Sequence, residues 1–152
     1  NLGPFGRPIG RFSITAGSIA LPRQDAQGLA GDTLRCLGRD VVACRDPGGT
    51  ELGERIRRIL LDRHEIPMHR RSEMLLYQAS RAQLVEEVIR PAIAAGRLVV
   101  CDRFLLATAV YQGHAGGLDV EGIWTTGNVA TAGVRPDLTL VLDMPAARAA
   151  LG

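Results

Sequence analysis

An acid and a base directly follow a short apolar run in the middle of the chain. Residues 98–101 are apolar and include two valines, and Asp102 and Arg103 come next. This pattern predicts a buried parallel strand, and open α/β sheets bind their ligands at the carboxyl ends of such strands. A carboxylate there can hold a metal ion, and a guanidinium can donate paired hydrogen bonds to phosphate oxygens. Taken alone, however, the two residues are more typical of a surface ion pair.

The composition predicts one soluble globular domain. The chain has 152 residues, of which 46% are apolar, and this suits a single hydrophobic core. Its net charge of +2 is too small to predict a nucleic-acid-binding surface, and no uncharged apolar run is long enough to span a membrane. All 18 basic residues are arginines, which excludes a lysine nucleophile and the usual lysine of a phosphate loop. Arg55, Arg57 and Arg58 are expected to form a solvated helix face.

The cysteines favour a reducing compartment. Cys36, Cys44 and Cys101 are odd in number and lack the spacing of a metal site. We therefore expect reduced thiols in the core or at strand ends, and a cytoplasmic protein. Residues 1–10 contain Gly and Pro without the apolar segment of a signal peptide, so we expect a loose leader before one domain of residues 11–152.

Predicted strands and helices alternate along the chain. The strands are predicted at residues 11–15, 40–44, 98–101 and 138–142. The helices are predicted at residues 24–37, 51–61, 71–95, 105–111, 120–132 and 145–151. Pro91 is expected to kink or end the longest helix, because proline lacks an amide hydrogen. The alternation predicts an α/β fold with three layers, in which helices cover both faces of a parallel sheet.

Five blocks of residues in this framework carry recognisable motifs. They are residues 45–50 (RDPGGT), 73–83 (EMLLYQASRAQ), 102–104 (DRF), 111–113 (YQG) and 135–143 (RPDLTLVLD). In order and spacing they resemble the thymidylate kinase family of phosphate-loop nucleoside monophosphate kinases. The corresponding family motifs are R-E-P-G-G-T, E-x-L-L-F-x-A-x-R-A-Q, D-R-Y, A-Y-Q-G and R-P-D-L-T-L-x-L-D. Each block is weak evidence by itself, but five in register are specific.

The resemblance implies a phosphate-loop NTPase-like fold, cut off after the fourth strand, and the transfer of the γ-phosphate of ATP to dTMP to give dTDP. Asp102 is the position that serves Mg²⁺, directly or through water. Arg45 and Arg103 are the positions that clamp the acceptor phosphate. No covalent nucleophile is needed, because phosphoryl transfer depends mostly on positioning and charge stabilisation. The resemblance also implies a homodimer built across the long helices.

The same resemblance assigns residues to the nucleoside of dTMP. Tyr77 occupies the position that stacks on the base, and Arg81, one helical turn later, the position that reaches its carbonyl edge. Thr108 corresponds to the residue that contacts the ring nitrogen, and Tyr111 to the one that makes a 2′-hydroxyl fit poorly. The remaining substrate-binding positions are Asp46, Gly48, Gly49 and Gln112. The glycine pair lets the backbone approach the nucleotide closely. Taken alone, Tyr77 is more typical of a core aromatic, and the glycines could be only a turn after a strand.

Two parts of the sequence depart from the family pattern. The phosphate loop, G-x-x-G-x-G-K-[ST], aligns with residues 17–24 (GSIALPRQ), in which only Gly17 matches and Arg23 stands where lysine belongs. Genuine divergence and a compensated frameshift explain this stretch equally well. The chain also ends soon after Asp143, where the resemblance implies an arginine-rich lid, a last strand and closing helices.

These departures leave two functions open. One is a dTMP kinase, in which Gly17 and Arg23 are the remnant of the ATP-binding loop. The other is an impaired or inactive relative that at most binds a pyrimidine nucleotide. A kinase specific for another nucleotide, such as a uridylate, is less favoured because of Tyr111 and the block around Tyr77 and Arg81.

Overall fold

Four parallel strands form the sheet, as the sequence predicts. A computed structural model describes residues 11–16, 23–61 and 67–142 of the protein. The strands are β1 (Arg11–Ala16), β2 (Val41–Arg45), β3 (Leu98–Asp102) and β4 (Leu138–Leu142), in the spatial order β2-β3-β1-β4. All three pairings between them are parallel. The predicted leader, residues 17–22 of the predicted phosphate loop and the predicted helix at residues 145–151 lie outside the described residues.

Helices connect the strands within the described ranges. The α-helices are α1 (Arg23–Cys36), α2 (Glu51–Leu61), α3 (Arg70–Leu84), α4 (Arg90–Ala94), α5 (Leu105–Thr108) and α6 (Val120–Thr131). A π-helical turn at Val85–Ile89 joins α3 to α4, and a second at Ala109–His114 follows α5. Pro91 does not end the long helix, because it lies in the first turn of α4, where a missing amide hydrogen is tolerated. None of these helices is both long and apolar enough to cross a membrane.

β3 is buried on both faces, as expected of an interior parallel strand. Val99 and Cys101 belong to the larger hydrophobic cluster, which includes residues of α3 and α6. Leu98 and Val100 belong to a smaller cluster, against which residues of α1 pack. Because successive side chains of a strand point to opposite faces, the two clusters lie on opposite sides of the sheet. The sheet is therefore the middle of three layers.

β2 and β3 end side by side, and this brings two of the motif blocks together. Cys44 pairs in register with Cys101, and Arg45 with Asp102. The amide of Asp46 then donates a hydrogen bond of 2.9 Å to the carbonyl of Asp102. The hydrogen bond between the two buried cysteines, together with burial, holds the pKa of the Cys101 thiol well above its usual range, so this thiol stays protonated.

Polar side chains fix the start of the two helices beside these strand ends. His69 caps α3, because its Nδ1 accepts a hydrogen bond of 3.2 Å from the amide of Arg71. Asp119 caps α6 in a similar way and accepts hydrogen bonds from the amides of Glu121 and Gly122. Both helices therefore begin where the sequence places a side-chain acceptor directly before them.

Candidate functional site

A cavity of about 180 Å³ opens at the carboxyl ends of β2 and β3. The turn after β2 contributes Asp46 to its lining, and α3 contributes Glu73, Tyr77 and Arg81. The segment after β3 contributes Arg103, Phe104, Ala107, Thr108, Tyr111 and Gln112. Seven of these ten lining residues are positions that the sequence predicts to bind or act on a nucleotide, and the structure brings those seven together.

Arg81 is held from several directions at this cavity. Only 1% of its side chain is exposed. Nε donates to Oδ2 of Asp46 at 2.6 Å, Nη1 to Oε1 of Gln78 at 2.5 Å and Nη2 to Oγ1 of Thr108 at 2.8 Å. The guanidinium carbon also lies 5.5 Å from the centre of the Phe104 ring. A guanidinium has five N–H donors, so within the described part of the chain two of them remain without a partner, on a residue that lines the cavity.

Asp46 supplies the negative charge that Arg81 needs when it is buried. Its side chain is also 1% exposed, and its second oxygen, Oδ1, has no hydrogen-bond donor among the described residues. Burial raises the pKa of this carboxyl, although the charge and the hydrogen bond of Arg81 act in the opposite direction. Asp46 therefore fixes Arg81 while one of its own oxygens stays unsatisfied, a costly arrangement in a protein interior.

Tyr77, Glu73 and Gln112 form another part of the lining. Nε2 of Gln112 donates to Oε1 of Glu73 at 3.2 Å, which joins the second π-helical turn to α3. Tyr77 is half-buried and lies one helical turn from Glu73 and from Arg81. Burial raises the pKa of its phenol, and the neighbouring Glu73 carboxylate raises it further. The ring therefore stays neutral and is available to stack on a flat group.

Arg103 reaches the cavity from a strained backbone. Its φ is 64°, in the left-handed region that residues with a side chain rarely adopt. Its guanidinium carbon lies 5.2 Å from the centre of the Tyr111 ring, so the ring supports the cation. Tyr111 belongs to the second π-helical turn, a distortion that is frequent at functional sites. Strain of this kind persists where the surrounding structure requires one side-chain direction.

The structure places Arg45, Gly48 and Gly49 outside the lining of the cavity. Nη2 of Arg45 lies 2.9 Å from each carboxylate oxygen of Glu54 in α2. The Gly49 amide donates to the same carboxylate at 2.9 Å, and the Gly48 amide donates to the hydroxyl of Ser80 at 3.1 Å. The two glycines have φ of 126° and 78°, which their lack of a side chain permits. Their amides thus bind protein groups, and the turn after β2 is fastened to α2 and α3.

Positive charge is concentrated beside the cavity. Arg57, which the sequence assigns to a solvated face of α2, is half-buried, and its Nη1 donates to the carbonyl of Pro47 at 2.9 Å. Burial lowers the pKa of Arg57, and the guanidinium groups of Arg45 and Arg103 lower it further. An anion placed beside Arg57 would stabilise its charge, which burial and the two other guanidinium groups disfavour.

Three further residues were predicted to serve the metal or ATP, and the structure describes Asp102 and Arg23 but not Gly17. Asp102 is half-buried at the end of β3, next to Arg103, but is not part of the cavity lining. Arg23 is the first residue of α1, and Gly17 lies outside the described residues. The described residues contain no group of three or more His, Cys, Asp or Glu side chains that could hold a metal. A single carboxylate such as Asp102 still fits Mg²⁺, which keeps several waters and takes substrate phosphates as ligands.

Five residues of the site were missed by sequence reasoning. Glu73, Phe104 and Ala107 line the cavity, and Gln78 and Ser80 donate or accept the hydrogen bonds that support it. Glu73 and Phe104 stand inside motif blocks, so the motifs themselves could have indicated them. Gln78 and Ser80 fall on open positions of the second motif, and only their three-dimensional contacts reveal them.

Known proteins match most of this chain. The family model for thymidylate kinase matches residues 29–151. A thymidylate kinase of Rhodopirellula baltica is 42% identical over 144 residues, which are 94% of this chain and 58% of the relative. One of Pseudomonas putida is 52% identical over 112 residues, 74% of this chain and 53% of the relative. The crystal structure of thymidylate kinase from Ehrlichia chaffeensis superposes with a TM-score of 0.77 at 28% identity, covering 93% of this chain and 81% of that one.

The matched region contains the whole cavity. The family model begins before β2 and extends beyond β4, so every residue of the lining falls inside it. The chain spans about half to two thirds of the length of the curated relatives that it matches. The family model, the curated relatives and the shared α/β fold agree, and this chain belongs to the thymidylate kinase family.

Proposed function

We propose that this chain is a dTMP kinase, which transfers the γ-phosphate of ATP to dTMP to give dTDP, and that the cavity is its dTMP site. One observation carries this proposal: α3 and the segment after β3 converge on a single cavity. The residues that meet there are Tyr77, Arg81, Arg103, Thr108 and Tyr111. They supply aromatic rings, fixed hydrogen-bond donors, a hydroxyl and a cation, which correspond to the base, its polar edge and the phosphate of a nucleotide.

Arg81 and Thr108 are proposed to recognise the base. Two N–H groups of Arg81 remain for an acceptor in the cavity. Thymine presents a carbonyl oxygen at the position where cytosine presents an amino group. An N–H donor of Arg81 can bind the carbonyl oxygen of thymine but is repelled by the amino group of cytosine. This part of the site therefore favours thymine. The Thr108 oxygen accepts from Arg81 and keeps a second lone pair for the ring N–H of thymine.

Two tyrosines are proposed to contact the rest of the nucleoside. The neutral ring of Tyr77 lies on the same face of α3 as Arg81, and it can stack on the base whose edge Arg81 contacts. Stacking of a base on an aromatic side chain contributes about 1–3 kcal/mol. Tyr111 packs against the guanidinium of Arg103, and its ring takes up space next to the sugar, where it disfavours a 2′-hydroxyl.

The acceptor phosphate is proposed to lie at Arg103. Arg103 and Arg45 both stand close enough to Arg57 to disfavour its charge, and this cluster favours an anion. Arg103 offers the planar fork of donors that suits phosphate oxygens. Arg45 is bonded to Glu54, so it contributes through its charge and its hold on the turn after β2.

Mg²⁺ and ATP complete the proposed reaction. Asp102 is proposed to hold Mg²⁺, directly or through water, and the bound ion would supply charge stabilisation for the phosphoryl oxygens. Gly17 and Arg23 are proposed to contact the phosphates of ATP. Support for Arg23 comes from its place at the start of α1, since the N-terminus of a helix favours anions.

The proposal includes a cytoplasmic homodimer that works on small nucleotides in the synthesis of dTTP. Support for the dimer comes from four exposed apolar side chains on α2 and α3, namely Leu52, Ile59, Leu61 and Leu75. These two helices contact each other, and apolar side chains that form one patch on a protein surface are typical of a region that a second protein covers. Sedimentation velocity at several protein concentrations measures this directly.

Calorimetric titration with dTMP tests the site. The unaltered chain is expected to bind dTMP, and Tyr77→Leu is expected to weaken binding by about tenfold or more, because a base–aromatic stack is lost. Trp124→Leu is the matched control, since Trp124 is also a partly exposed aromatic but lines a separate, apolar cavity. Equal affinity of the unaltered chain and Tyr77→Leu for dTMP would contradict the assignment of Tyr77.

Binding of dTMP without catalysis is the second candidate function. Residues 17–24 favour it, because Leu21 and Pro22 stand where the amides of a phosphate loop should surround phosphate, and proline has no amide hydrogen. A coupled assay of ADP release with ATP, Mg²⁺ and dTMP separates the two candidates. Turnover supports the kinase, and dTMP binding without turnover supports the second candidate. A chain that does not bind dTMP contradicts both.

A further inference from the structure

Gln78 joins the cavity to a helix that does not line it. The side chain is buried and is not part of the cavity lining. Its Nε2 donates to the backbone carbonyl of Ile123 in α6 at 3.3 Å, and its Oε1 accepts from Nη1 of Arg81 at 2.5 Å. A carbonyl can only accept a hydrogen bond and an arginine can only donate one, so both partners require the same orientation of the amide. One buried amide thus connects the backbone of α6 to the guanidinium in the cavity.

The three partners of Arg81 hold different parts of its guanidinium. Asp46 and Thr108 bind Nε and Nη2, which lie along one edge of the planar group. Gln78 binds Nη1, on the other side. Contacts on one edge alone would leave Nη1 without a partner. The contact of Gln78 holds this nitrogen as well, so that all three nitrogens of the group are fixed.

We propose that Gln78 is a positioning residue that sets the base preference of the site. It aims the free donors of Arg81 at the oxygen of a 4-oxo pyrimidine and so disfavours a 4-amino pyrimidine. The inference rests on the proposed dTMP site. Gln78 stands at a position that the second motif leaves open, so the family pattern does not assign this role.

The test compares the binding of dTMP and dCMP to Gln78→Met. Methionine matches glutamine in length and volume but makes neither hydrogen bond. We expect the affinity for dTMP to fall about tenfold while that for dCMP changes less than twofold, because only dTMP uses the aimed donors. A loss that is equal for both nucleotides indicates a merely structural role and overturns the inference.

Two further variants sharpen this comparison. Gln83→Met is the matched control on the same helix, since Gln83 bonds the exposed Glu87 and lies outside the lining, and we expect it to leave both affinities unchanged. Gln78→Glu keeps an acceptor for Arg81 but loses the donor to Ile123. We expect it to retain the preference for dTMP within about threefold. Loss of the preference in Gln78→Glu to the same extent as in Gln78→Met overturns the inference.

A double-mutant cycle shows whether Gln78 acts through Arg81. In an Arg81→Lys background the planar guanidinium that Gln78 holds is already absent. Adding Gln78→Met is therefore expected to change dTMP affinity by less than about twofold. Effects that multiply independently would mean that Gln78 acts by another route, and would overturn the inference.

A measurement without nucleotide separates this inference from the proposed function. Rotation of the Arg81 guanidinium is followed by NMR in the free protein, where three hydrogen bonds should slow it. We expect at least a severalfold faster rotation in Gln78→Met, whose thermal unfolding midpoint confirms that it is folded. Unchanged rotation overturns the positioning role. Failure of the unaltered chain to bind dTMP, with faster rotation in the variant, instead overturns the proposed function and the base preference that rests on it, but leaves the positioning of Arg81 by Gln78 standing.

Discussion

Arg45 and Asp46 are neighbours in the sequence, yet they form ion pairs in opposite environments. Asp46 lies 2.6 Å from Arg81 with both side chains 1% exposed, whereas Arg45 lies 2.9 Å from Glu54 with 45% and 34% of the side chains exposed. Successive residues at the end of a strand point to opposite sides. One peptide unit therefore separates a buried pair from a solvent-facing pair of the same chemical kind.

Burial changes what an ion pair does. At the buried pair, desolvation raises the pKa of Asp46 and outweighs the attraction of Arg81. At the exposed pair, the Gly49 amide and Arg45 lower the pKa of Glu54. The buried pair fixes a guanidinium that lines the cavity, while the exposed pair fastens the turn after β2 to α2. Removing one partner of a buried pair typically costs about 3–5 kcal/mol, against about 0–1 kcal/mol at the surface.

The largest predicted effect is that of Arg81→Met on stability. The variant leaves Asp46, Gln78 and Thr108 without their buried donor, and we expect the free energy of unfolding to fall by about 3–5 kcal/mol near pH 7. Urea titration measures it. Arg55→Met is the matched control, because Arg55 forms an exposed pair with Glu51, and it should cost less than about 1 kcal/mol. A similar loss in the two variants would show that burial does not distinguish them.

The cost of Arg81→Met should also increase with pH. An acid whose pKa is raised by folding binds more protons in the folded state, so stability falls as pH rises from the usual value of 3.8 through the raised value. Without Arg81 the pKa of Asp46 rises further and this window extends upward. We expect the destabilisation to grow by at most about 1.4 kcal/mol per pH unit, the limit for one proton. Urea unfolding of both proteins at a series of pH values above 3.8 measures the slope, and a cost that shrinks as pH rises would contradict it.

The elements of the fold could be predicted because each leaves a local pattern. The amphipathic pattern of residues 51–61 predicts a helix, and α2 covers Glu51–Leu61. The apolar run before Asp102 predicts an interior strand, and β3 is buried on both faces. The effect of Pro91 was not predictable. A π-helical turn precedes it and the helix continues, and the sequence gives no signal for that adjustment of the backbone.

The cavity could be predicted only as far as the motifs reach. The block around Tyr77 and the two blocks on either side of Thr108 indicated residues that the structure brings to one cavity. The role of these residues in binding dTMP stays a prediction. The outward direction of Arg45 depends on how α2 packs against the turn, which no spacing in the sequence records. The role of Gln78 could not be predicted either, because its partner Ile123 in α6 lies far from it in the sequence.

Glu54→Gln provides the smallest expected effect, at a carboxyl whose pKa is shifted in the opposite direction to that of Asp46. Above the usual pKa of 4.5, the lowered pKa of Glu54 stabilises the fold, and this stabilisation is lost as pH falls from 4.5 through the lowered value. Near pH 7 we expect Glu54→Gln to cost less than about 1 kcal/mol, because the pair with Arg45 is partly exposed. Glu51→Gln, on the same first turn of α2, is the matched control.

Urea titrations at neutral and acidic pH decide the outcome. The stability of the unaltered chain relative to Glu54→Gln should decrease on acidification below about pH 4.5. The difference in free energy of unfolding between the unaltered chain and Arg81→Met should also decrease on acidification, but at the higher pH at which Asp46 titrates. In that range the variant gains stability, because its unpaired Asp46 becomes protonated. If Glu54→Gln instead lowered the free energy of unfolding by several kcal/mol, the exposed pair would stabilise the fold as much as the buried pair does. Exposure could then not explain the different behaviour of Arg45 and Asp46.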